Sequence, residues 1–142
     1  MPVQYHTRRR IEFVDTDMAG IVHFSRFYVF MEQAEHEFLR SLGLSVHGKR
    51  DQDGNTIGWP RLAASCTFSN PAYFDEAIDI HLTVSRVGEK SVTYECSFSR
   101  GDTAIARGEL RAVCCHCNPG EQMQAIQIPP DIRRKLEPPV SP

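Results

Sequence analysis

Phe13-Val14-Asp15-Thr16-Asp17-Met18-Ala19-Gly20-Ile21-Val22-His23-Phe24-Ser25-Arg26-Phe27-Tyr28 sets two carboxylates and a glycine between a strand-like run and the start of an amphipathic helix. The first amides of a helix lack intrahelical acceptors, and the dipole is positive there. Such a place can polarise a carbonyl oxygen while a nearby carboxylate attacks its carbon or activates water. The stretch therefore points to a reaction as well as a fold.

Outward from it, Phe27, Phe30, Met31, Ala34, Phe38 and Leu42 recur at steps of three and four, which makes one face of a helix of about 18 residues starting near Phe24. Ser25 is the expected N-cap, and Gly43 the expected stop. Glu32, Gln33, Glu35, His36 and Arg40 fall largely on the polar side.

Beyond the helix the period changes to two. Leu62, Ala64, Cys66 and Phe68 alternate with Ala63, Ser65, Thr67 and Ser69, Ile78, Ile80, Leu82 and Val84 with Asp79, His81, Thr83 and Ser85, and Val92, Tyr94, Cys96 and Phe98 with Thr93, Glu95, Ser97 and Ser99. Strands with one buried and one polar face follow, as in an antiparallel sheet. Gly88-Glu89-Lys90 and Gly101-Asp102 punctuate hairpins. One more strand spans about Ala104 to Cys115, and Tyr5 to Glu12 reads as the first. The stretch from Gly48 to Gly58 is polar and glycine-rich and is expected to be a mobile loop. Prolines at 129, 130, 138 and 139 bracket at most a short helical turn from Asp131 to Leu136, in a loosely packed tail over 129–142. The most economical packing lays the Phe27/Met31/Phe38 stripe into a five- to six-stranded antiparallel sheet, an α+β architecture.

The whole is read as one domain over 1–142, since 142 residues is an ordinary domain length. A net charge of -2 gives no footprint for nucleic acid, and no apolar run approaches the ~20 residues needed to span a bilayer. The N-terminus has no secretory signal. The five cysteines, Cys66, Cys96, Cys114, Cys115 and Cys117, are odd in number, which favours reduced thiols in a cytoplasmic location. Cys114 and Cys117 have zinc-ligand spacing, but no second ligand pair follows, so no metal is expected. Asp15, Asp17 and Gly20 begin like a calcium loop; Ala19 and Arg26 then stand where oxygen ligands belong, which excludes it.

The order of strand, Asp15-Thr16-Asp17-Met18-Ala19-Gly20-Ile21-Val22, aromatic Phe24, Phe27 and Tyr28, Glu32-Gln33-Ala34 and then antiparallel strands resembles the hot-dog-fold acyl-CoA thioesterases of the 4-hydroxybenzoyl-CoA thioesterase type, from about Tyr5 to Pro129. The resemblance implies hydrolysis of an acyl- or aroyl-CoA to acid and CoA, with no cofactor beyond the coenzyme A of the substrate. It implies Asp17 as the catalytic carboxylate, nucleophile or general base, and the backbone N–H of Phe24 as oxyanion donor. Homodimers or homotetramers with sites between subunits are implied too. Gly20 and Val22 of the motif would border the substrate, Lys90 and Ser91 would meet its phosphates, and Trp59 is a candidate for its pocket. Glu89, where some members are basic, weakens that phosphate grip. His23, where members commonly carry Trp or Tyr, is a further candidate for the site.

Bland readings stand beside these. Asp15 is expected to stabilise the turn through side-chain-to-backbone bonds. Glu32 and Glu35 read as solvated or interface charges, and His81 as a surface residue. Two rivals remain open: a dehydratase or hydratase of acyl thioesters, which His23-Phe24-Ser25 faintly suggests, and a non-catalytic acyl-CoA-binding module.

Overall fold

The structure, a computed structural model, describes residues 1–47 and 49–138, with the backbone alone at Lys49. Strand β1 (Gln4–Arg10) leads through a 3-10 turn, Phe13–Asp15, to helix α1 (Phe24–Ser41). Short strands β2 (Lys49–Arg50) and β3 (Thr56–Gly58) follow, then the long strands β4 (Arg61–Phe68), β5 (Ala77–Val87), β6 (Ser91–Arg100) and β7 (Thr103–Val113). Strands β8 (Cys115–His116) and β9 (Gln124–Ala125) and helix α2 (Pro130–Leu136) complete the chain. The main sheet has five antiparallel strands in the order β1-β5-β6-β7-β4, and a small sheet has the order β2-β3-β8-β9.

Helix α1 packs across one face of the main sheet. Phe38 meets Tyr5 of β1 and Tyr94 of β6, while Phe27 packs edge-on to Phe98 of β6 and against Phe68 of β4. Phe27, Met31 and Phe38 are buried, as their spacing requires. The approach is closest at Gly108, where a Cβ would overlap the Met31 sulfur and sit 2.9 Å from the Ser65 carbonyl. Only glycine lets the helix lie this near the sheet.

Strands β5 and β6 bury Ile78, Ile80, Leu82 and Val84, and Val92, Tyr94, Cys96 and Phe98, in agreement with their alternation. Strand β4 departs from it: Leu62 and Phe68 remain 55% and 49% exposed. Among the described residues it is an edge strand paired with β7 alone, and although Phe27 of the helix touches Phe68, about half of each of these side chains stays uncovered. The stretch expected to be a mobile loop instead forms the β2–β3 hairpin with a buried Ile57; Gly48 lies outside the described residues. The tail also packs more tightly than its prolines suggest. Leu136 is buried, and Arg133 donates to the Gly88 carbonyl at 2.7 Å, so α2 is tied to the β5–β6 turn; residues 139–142 of that tail lie outside the described residues.

Candidate functional site

The loop before α1 is fastened from both sides. Asp17 N–H donates to the Ile21 carbonyl at 2.9 Å and Gly20 N–H to the Asp17 carbonyl at 3.0 Å. Gly20 sits at φ 81, a left-handed conformation that side-chain-bearing residues resist, and this closes the turn. Outside the turn, Val22 N–H donates to Ala72 and His23 N–H to Asp15. The motif is thereby clamped onto the β4–β5 connection.

The two aspartates have different fates. Asp15 is 2% exposed. It accepts from Arg26 Nε at 2.6 Å and from Glu12 N–H at 2.8 Å, so it ties the turn to the helix, the structural role its turn position implies. Asp17 is half-buried, and its Oδ1 accepts the Ala19 N–H at 2.9 Å. No other bond to its side chain is found among the described residues.

Asp17 opens onto a cleft of about 460 Å³ that it shares with Val22, Phe24, Phe27 and Phe68. Phe24 is the first residue of α1, so its N–H has no intrahelical acceptor and lies at the positive end of the helix dipole. One cleft is thus lined by Asp17, by the first residue of α1 and by an apolar wall. Ser69, Asn70 and Pro71 of the β4–β5 connection also line it. Sequence reasoning did not select them, although an Asn-Pro pair directly after a strand is a turn signal.

His23, rather than Ser25, caps the helix: its Nδ1 accepts the Ser25 N–H at 3.2 Å and lies 2.7 Å from Ser25 Oγ. The ring stacks on Phe24 and is not among the residues lining the cleft. Gly20 likewise shapes the turn without lining the cleft. Lys90 and Ser91 lie at the far end of the sheet, Ser91 opposite Val113, whereas Phe68 lies opposite Ala106. Seven residues of β7 separate these registers, about 23 Å at about 3.3 Å per residue. Trp59, two residues before β4, is buried at that far end too. A single chain therefore gathers Asp17, Val22 and Phe24, and leaves Lys90, Ser91 and Trp59 remote.

Glu35 corrects the sequence reading. It is 1% exposed and forms a two-pronged pair with Arg61, at 2.7 and 2.8 Å. The edge strand brings Arg61 over the helix, and a charge counted as solvated becomes a buried link between α1 and β4. Glu32 stays exposed. Burial pushes the Cys96 and Cys114 thiols up to about 12, which keeps them protonated. Among the described residues no three His, Cys, Asp or Glu side chains converge as metal ligands.

A family model described as the thioesterase-like superfamily matches residues 11–136. The chain is 29% identical, over 96% of its length and 99% of the relative's, to a protein of Aquifex aeolicus (strain VF5) provisionally designated an esterase. It is 28% identical to the 4-hydroxybenzoyl-CoA thioesterase of Pseudomonas sp. (strain CBS-3), covering 87% of this chain and 91% of that one. Among solved structures, a gentisyl-coenzyme A thioesterase superposes with a TM-score of 0.73 at 30% identity, covering 92% of this chain and 99% of that one.

Proposed function

The chain belongs to the thioesterase-like superfamily, and from that premise we propose that it hydrolyses an acyl- or aroyl-CoA thioester to the free acid and coenzyme A. The hot-dog fold is common ground with those relatives. The observation that carries the reading is the meeting of Asp17 and the first residue of α1 in one apolar cleft.

The thioester carbonyl oxygen accepts the Phe24 N–H, which meets the negative charge that develops as the carbon becomes tetrahedral. One such donor contributes about 3–4 kcal/mol to the transition state. Asp17 supplies the electron pair, either directly to the carbonyl carbon or by taking a proton from water that attacks it. The C–S bond then breaks and the sulfur leaves as CoA thiol, protonated from the medium on the direct route and with the proton taken from water on the other. On the direct route water then cleaves the Asp17 anhydride, which releases the acid and restores the carboxylate. The Ala19 N–H holds one carboxylate oxygen and orients the other. His23 is engaged in capping and is not among the residues lining the cleft, which favours hydrolysis over a histidine-dependent dehydration.

Two copies of the chain complete each site. Strand β4 has a free edge flanked by exposed Leu62 and Phe68. Antiparallel pairing of two such edges carries the Trp59 end of one chain beside the Phe68 cleft of the other. Lys90, Ser91 and Trp59 then belong to the partner's half of the site, in a homodimer or a homotetramer built from two. An aromatic acyl group suits an apolar cleft and the substrates named for the 4-hydroxybenzoyl and gentisyl relatives. The reaction needs no cofactor beyond the CoA of the substrate. No helix among the described residues is long and apolar enough to cross a membrane, and the chemistry described suits an enzyme of the cytoplasm.

Release of CoA thiol from aliphatic, benzoyl and hydroxybenzoyl CoA thioesters tests the reading. Release from at least one aromatic substrate is expected. Tight binding without thiol release would make this a binding module, and a hydrated or dehydrated thioester with no free thiol would make it a dehydratase.

A further inference from the structure

Of the amides that open the first turn of α1, one is left free. Among the described residues, Phe24 N–H makes no hydrogen bond. Ser25 N–H donates to His23 Nδ1 at 3.2 Å, and Arg26 N–H to the His23 carbonyl at 2.9 Å. An uncapped helix start offers several N–H groups to the same incoming oxygen. Here His23, through its ring and its carbonyl, engages the second and third amides and leaves the first.

His23 is itself held from both sides. Its N–H donates to the Asp15 carbonyl at 2.9 Å, and Asp15 is fixed in turn by Arg26 and by Glu12 N–H. Its backbone is extended, at φ -65 and ψ 139, as an N-cap requires. The ring lies 4.6 Å from the Phe24 ring between centroids, at 31°. Phe24 is 60% exposed, so the stacked imidazole restrains a ring that solvent leaves free to turn.

The same bonds place the imidazole proton. A backbone N–H can only donate, so Nδ1 turns its lone pair to Ser25, and the neutral ring carries its proton on Nε2. Ser25 Oγ, 2.7 Å from Nδ1, is then a second donor to that nitrogen. The lone pair that a general base would turn to substrate is taken up by the helix, and His23 is not among the residues lining the cleft.

We propose that His23 is a positioning residue: by capping Ser25 and stacking on Phe24, it makes the Phe24 N–H the single amide presented to the thioester oxygen. The proposal rests on the hydrolysis reading, because it gives His23 a part in the transition state of that reaction.

His23→Ala, His23→Leu and His23→Asn test it on an aromatic acyl-CoA, with urea unfolding of each variant recorded alongside. Alanine and leucine remove the acceptor, and leucine keeps bulk over Phe24. Asparagine is among the best N-caps and returns an acceptor without an imidazole. In the first two, kcat should fall about 10- to 100-fold, the scale of a misplaced group. KM should stay within about twofold, since the contact is one made in the transition state. His23→Asn should recover kcat to within about threefold, as a replacement cap does. Wild-type kcat in both uncapped variants, or a loss confined to KM, would overturn the proposal. So would a loss in His23→Ala alone, which assigns the effect to bulk. His23→Asn as slow as the uncapped pair would overturn it too, by making the imidazole itself the reacting group. A wild type that releases no thiol from any CoA thioester would overturn the hydrolysis reading and this proposal with it.

Discussion

Arg26 decides which aspartate of the motif is free to react. Its Nε donates to Asp15 at 2.6 Å, where the residue is 2% exposed, while among the described residues the Asp17 carboxylate accepts one bond, from the Ala19 N–H, and Asp17 lines the cleft. Removing one member of a buried pair strands the other charge, at a cost of about 3–5 kcal/mol. Asp15→Ala should therefore lower the unfolding free energy by about that much, read from a lower urea midpoint at an unchanged slope. Gly20→Ala forces a left-handed backbone on a residue with a side chain, which costs about 1–2 kcal/mol. It should lower kcat more than it raises KM, because the turn it closes positions Asp17. Much of this was legible, since an acid in a tight turn before an amphipathic helix has few roles. The cap was not: serine is the commoner N-cap, and only the fold reveals the His23 ring already placed over the Ser25 amide.

Helix α1 and strands β5 and β6 follow their periodicity because both are covered. Strand β4 follows the same pattern and is only partly covered, since a period of two specifies which side chains share a face but not how much lies against it. The helix–sheet contact gives the sharpest element-level prediction. Gly108→Ala places a methyl group into the Met31 sulfur and should destabilise by about 1–3 kcal/mol, as overpacking does, measured by thermal and urea unfolding. Strand β1 is tied to β5 by Asp79, whose carboxyl is held below its ordinary range first by the hydrogen bond from Arg8 and also by His6. A depressed folded-state value means stability present above the unfolded pKa of about 4 and lost as pH falls through the folded one. Asp79→Asn should thus lose stability at pH 7, under about 1 kcal/mol for so exposed a pair, and converge on the wild type only as pH falls below the folded-state value of Asp79. Glu35 was misread at this scale: its side chain sits on the polar flank of the helix, and the partner that buries it, Arg61, arrives from another element.

At the scale of the whole molecule, the proposed dimer joins the Asp17 cleft of one chain to Lys90, Ser91 and Trp59 of the other along β4. A charge on that edge should keep them apart: Leu62→Asp should run as a monomer in light scattering and lose most thioester hydrolysis, with its circular dichroism intact. A monomer that retains full activity would place the whole site in one chain. What the sequence left unread, the packed tail and the exposed β4, depends on contacts between distant elements or between chains, which local periodicity does not encode.

The most direct measurement is single-turnover CoA release by the wild type and by Asp17→Asn, using an aromatic acyl-CoA that the wild type hydrolyses and with melting temperatures recorded alongside. The account predicts that the variant stays folded and keeps its substrate affinity but loses at least about a hundredfold in rate, the least that a positioned acid–base group contributes. Hydrolysis by Asp17→Asn at the wild-type rate would contradict it.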